Sequence, residues 1–161
     1  MHFVVALLLI LSLGWQHARA DEDPNYLYSM SFRGGPTVTR YAKPEFAEGL
    51  RSVRPDGVSF NWAYRAPSEA DAAAFDREVA AINDVITEVL KSQPSAVLAL
   101  TSIKANNQGI WAFYTDDGRA LAAALEAGLK GRTATPLRFR VGKDPEWKAF
   151  TSFVARLRDE K

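Results

Sequence analysis

Arg138 and Arg140 stand one residue apart in Leu137-Arg138-Phe139-Arg140-Val141. In an extended strand that spacing puts both guanidinium groups on one face and the apolar residues on the other. The acid–base chemistry available to the chain rests on paired carboxylates, of which Asp116-Asp117 is the obvious candidate. That pair has a simpler use, because one aspartate caps a following helix while the other favours its positive N-terminal end. Asp144 likewise reads first as a cap. Asp21, Glu22 and Asp23 lack the glycine and distal glutamate of a calcium loop. Cysteine is absent, and both histidines, His2 and His17, lie in the first twenty residues. Triads, thiol nucleophiles and ordinary zinc or copper sites thus lose their usual side chains once that segment is removed. No glycine-rich phosphate loop is present. The sequence nominates no catalytic residue, no metal ligand and no cofactor.

The first twenty residues carry an eleven-residue apolar run, Phe3 through Leu13, followed by Ala18-Arg19-Ala20. A short apolar run and a small-x-small site mark a secretory signal peptide. It is too short for a bilayer, which needs about 20 residues. Cleavage after Ala20 takes the 161-residue chain to 141 residues, with 21–25 as a flexible start and 26–161 as one α+β domain. The expected address is periplasmic or extracellular, with no stable membrane anchor after cleavage. Arg19 leaves with the leader, so the 20 basic residues become 19, equal to the 19 acidic ones. A neutral domain has no overall field to attract nucleic acid, and none is expected as a partner. A chain of this length buries about two thirds of its unfolded surface, enough to stand without disulfides.

Apolar periodicity places the elements. Residues 26–33 and 37–41 read as a hairpin about Gly34-Gly35-Pro36, and 42–57 as a loop with one short helical turn near 46–50. Residues 58–65 alternate Phe60, Trp62 and Tyr64 against Ser59, Asn61 and Ala63, as a strand does. Ser68 caps a long helix whose stripe is Phe75, Val79, Ile82, Ile86 and Val89. Residues 96–104 and 110–115 form a hairpin about Asn106 to Gly109. A second helix presents Leu121, Leu125 and Leu129, and 137–141 is a strand. Asp144-Pro145 starts a last helix, with proline at its first position and Trp147, Phe150, Val154 and Leu157 on its apolar face. This order predicts a ferredoxin-like βαββαβ sandwich extended by an N-terminal β-hairpin and a C-terminal helix.

Three stretches resemble one known family: Gly109-Ile110-Trp111-Ala112-Phe113-Tyr114-Thr115, the helix start Asp144-Pro145-Glu146-Trp147, and Gly34-Gly35-Pro36 after a strand. Together they resemble the small bacterial domains grouped as domain of unknown function 695, over residues 26–157. The resemblance implies an α+β fold and no established activity. A looser similarity runs to a cytoplasmic regulator that inhibits a ribonuclease by binding it; an exported neutral chain departs from it in compartment and charge, and that partner is not carried over.

If Leu137, Phe139 and Val141 face the helices, Arg138 and Arg140 occupy the opposite sheet face. Arg65 shares it with Tyr114 or with Trp111, according to a register that spacing alone does not determine. Such a face can bind nucleic-acid bases, glycans or a protein partner, the first disfavoured here by export and neutrality. The competing expectation, favoured by the long apolar stripe of the last helix, is that this helix covers the face. The functional reading is a non-enzymatic binding module, the alternative a carboxylate-based hydrolase of an envelope polymer. The latter needs two acids in one cleft, one with a raised pKa.

Overall fold

The computed structural model describes residues 23–31, 37–64, 72–104 and 108–159. The predicted leader, Gly34-Gly35-Pro36, Arg65, the Ser68 cap and Asn106-Asn107 lie outside the described residues. Strand β3 (Asp56–Ala63) shows how the sequence builds the molecule: Val58, Phe60 and Trp62 are buried while Ser59 and Asn61 between them are half-buried. Its neighbours are β5 (Gln108–Thr115) on one side and β6 (Arg138–Lys143) on the other, both antiparallel. With β1 (Tyr26–Ser31), β2 (Thr37–Ala42) and β4 (Val97–Lys104), they make a six-stranded sheet in the order β1-β2-β4-β5-β3-β6. Every described ladder is antiparallel.

Helix α1 (Pro44–Glu48) follows β2, and a single 3-10 turn spans Arg51–Val53. Helix α2 (Ala72–Ser92) connects β3 to β4, and α3 (Gly118–Leu129) connects β5 to β6. Each crossover skips one strand, and the skipped strand belongs to the other crossover. That is the interleaving expected of a βαββαβ sandwich, with the β1–β2 hairpin added beyond β4. The protein is α+β.

Both crossover helices cover one sheet face. Phe75, Ile82 and Ile86 of α2 and Leu121, Leu125 and Leu129 of α3 pack on Val58, Phe60, Trp62, Trp111 and Phe113. Each of these leucines, fully buried, is worth about 1.5–3 kcal/mol. The opposite face holds a second core under α1 and α4 (Lys148–Asp159): Tyr41, Ala99, Leu100 and Tyr114 meet Phe150 and Val154. Strand β4 supplies both cores by alternation, Leu98 and Ile103 to the first and Val97 to the second, and a bulge between Leu98 and Leu100 sends both Ala99 and Leu100 into the second. The last helix closes this second apolar layer. Among the described residues, no helix is long and apolar enough to cross a membrane.

Candidate functional site

Register decides which aromatic joins the arginines. Ser59 lies opposite Arg140 and Asn61 opposite Arg138, while Phe60 pairs with Phe139. Phe60 also pairs with Trp111, and the two rings stack with centroids 5.0 Å apart. Trp111 therefore points into the core beneath α2 and α3, where it is 0% exposed. Its place in the candidate site is corrected, since strand alternation sends it to the face opposite the arginines. Tyr114, three residues on, does lie on the arginine side, but its ring is buried under Trp147. Arg138 and Arg140 are both exposed, and neither pairs with a carboxylate among the described residues. Arg65 lies outside the described residues.

Helix α4 divides this face. It covers Tyr114 and the β4 side and stops short of β6, so the expectation of a fully covered sheet is met over only part of the face. At the division lies an open groove of about 240 Å3, with Gly57, Ser59, Ala112 and Gly142 along it, Ala149 of α4 on one side and Arg140 on the other. The space exists because β3, β5 and β6 place such small residues there. Ligand pockets for cofactor-sized molecules run from about 300 to 1,000 Å3. This groove suits one side chain or one small group.

A tight cluster anchors the covered half. The Tyr114 hydroxyl donates to Asp144 Oδ2 at 2.7 Å, and Asp144 also accepts from the backbone N–H of Lys148 at 2.8 Å and of Ala149 at 3.0 Å. Asp144 is thus the cap, but from four residues before the helix. Pro145 sits in the intervening turn and not at the first helical position, because Trp147 breaks the helical path with φ 52. Left-handed backbone is strained for a bulky residue. Three contacts hold it there: a stack on Tyr114 at 4.0 Å and 9°, an edge contact with Phe150, and an indole N–H donated to the Arg54 carbonyl at 2.8 Å. Trp147 was legible only as a core residue; that Phe-Tyr-Thr and Asp-Pro-x-Trp meet through Tyr114, Asp144 and Trp147 was not.

The carboxylates are committed to structure. Burial works to raise Asp144, but the Tyr114 hydroxyl and the Ala149 and Lys148 amides outweigh it and hold the carboxyl below its ordinary value. Asp56 pairs with Lys143 and accepts from the Gly118 N–H at 3.1 Å, and these two partners lower its pKa. Asp117 caps α3 by accepting from Arg119 and Ala120. Asp116 is held low, above all by the Ser95 hydroxyl. Groups held ionised accept hydrogen bonds well and make poor general acids. Asp76, which burial raises, belongs to α2, the helix on the other face of the sheet. Among the described residues, no cluster of three or more His, Cys, Asp or Glu side chains could hold a metal.

Fold and site together define an α+β protein with a two-sided core and an open, arginine-bearing strip beside its last strand. The chain belongs to the family of unknown function DUF695, whose sequence model matches residues 27–155. Among curated proteins, none matches this chain.

Proposed function

We propose that this protein is a non-enzymatic interaction module, exported to the periplasm or the cell exterior, that holds an acidic segment of a partner protein along Arg138 and Arg140. The observation that carries this reading is the position of α4, which leaves both arginines exposed beside the small-residue groove. Two arginines whose Cα atoms stand about 7 Å apart along a strand match carboxylates at alternate positions of an extended chain. A glycan partner is less favoured, because sugar rings stack on open aromatic faces, whereas Tyr114 and Trp111 are both buried. The hydrolase alternative lacks support in this groove, where the carboxylate present is an ionised helix cap.

The test starts from partners cross-linked in envelope fractions and repeats binding with the purified pair. The Arg138→Glu, Arg140→Glu double variant, folded by circular dichroism, is expected to lose at least about tenfold in affinity. Unchanged affinity removes this strip from consideration. Export is checked by mass spectrometry of the native protein, expected to begin at Asp21.

A further inference from the structure

The two edges of the sheet are built differently. Strand β6, at one end, reads Arg138-Phe139-Arg140-Val141-Gly142-Lys143 and carries three cations. Strand β1, at the other end, reads Tyr26-Leu27-Tyr28-Ser29-Met30-Ser31 and carries no charge. Its large apolar side chains are nonetheless in water: Leu27 is 37% exposed, Tyr28 47% and Met30 55%. Edge strands offer unpaired backbone groups, and charges or prolines usually guard them. β6 is guarded in this way, and β1 is not.

We propose that β1 is a dimerisation edge that pairs antiparallel with β1 of a second copy about a two-fold axis at Ser29. Charge selects this pairing over the others. A β6–β6 contact would set cations against cations, and a β1–β6 contact would be head-to-tail, which propagates instead of closing. An axis through Ser29, perpendicular to the sheet, keeps each helical layer on its own side and produces one continuous sheet. Ser29 then faces its own copy, and Tyr28 faces Met30 of the second copy, with Met30 facing Tyr28 in return. Aromatic rings and thioether sulfurs attract each other. Five paired residues of β1 in each copy, 27 to 31, give less than the about 1,200 Å2 of a standard interface, so a concentration-dependent dimer is expected. The surface lies at the sheet edge opposite Arg138 and Arg140 and does not depend on the binding strip.

Sedimentation of the processed chain should show dimer rising with concentration. Ser29→Lys places two ammonium groups face to face on the axis and should leave monomer, as Ser29→Glu should; mixing the two variants should restore a dimer. Because the chain has no cysteine, Ser29→Cys gives a second readout. Opposed strand residues have Cα atoms about 4.5–5.5 Å apart, within disulfide range, so oxidation should yield covalent dimer. The Arg138→Glu, Arg140→Glu variant should dimerise like the wild type. Wild-type protein that stays monomeric to about 1 mM, or a dimer indifferent to Ser29→Lys, overturns the proposal.

Discussion

At the scale of single residues, the molecule treats its tryptophans unequally. Trp111 and Trp147 are both 0% exposed, yet only Trp147 donates its indole N–H, to the Arg54 carbonyl. The indole nitrogens of Trp111 and Trp62 are buried without an acceptor among the described residues. A tryptophan-to-phenylalanine change removes similar volume at either site, so comparison isolates the hydrogen bond. Trp147→Phe should cost about 1 kcal/mol more than Trp111→Phe in urea denaturation, because it leaves the half-buried Arg54 carbonyl without its donor. Equal costs would mean that the Arg54 contact adds nothing. The left-handed backbone at Trp147 is common to both comparisons at that site and cancels.

Among elements, α2 and α3 approach each other too closely for a side chain at Gly128. A Cβ built on Gly128 would lie 2.6 Å from Val85 Cγ1, inside any real contact distance. Valine in a helix has essentially one favourable rotamer and cannot turn its methyl aside. Gly128→Ala should therefore destabilise by about 1–3 kcal/mol through overpacking, although alanine is the better helix former by about 1 kcal/mol. Adding Val85→Ala opens the contact and should return part of that loss, which a double-mutant cycle by thermal melting would show as coupling. Additive costs would place the strain elsewhere. Helix α3 has a second such point at its start, where a Gly118 side chain would meet Val141 at 2.9 Å and Asp56 at 3.0 Å. There the absence of a side chain lets Asp56 reach the Gly118 amide.

Across the whole molecule, two cores share one sheet, and each contains a buried phenol. Burial raises Tyr64 in the first core. In the second, burial and then the Asp144 carboxylate raise Tyr114. Tyr26 of β1 donates its hydroxyl to the Leu98 carbonyl of β4, and burial raises it from 10.0 to about 12. Native phenols thus keep their protons at a pH where unfolded ones release them. Their contribution to stability is complete below about pH 10 and is lost as pH climbs toward 12 and beyond. Phenolate absorbance and loss of secondary structure should accordingly rise together in one alkaline transition. Ionisation of these tyrosines near pH 10 with the fold intact would contradict the two-core packing.

Periodicity along the chain determined the elements themselves. Alternation marked β3 and β6, the four-three spacing of Phe75, Val79, Ile82 and Ile86 marked α2, and Asp117 marked the start of α3, while Asp144 foretold α4 but not its first residue. These signals are local, since period two and period 3.6 report which side of one element meets apolar surroundings. The arginine pair on one face of β6 was legible for the same reason. Tertiary structure alone decided which aromatic shares that face, because register depends on which residues of neighbouring strands lie opposite each other. It also decided that α4 covers half a face, that Trp147 adopts a left-handed backbone, and that Asp144 caps from a distance. Each of these follows from contacts between residues far apart in the chain, such as Tyr114 with Asp144 and Trp147 with Arg54, which no local pattern encodes.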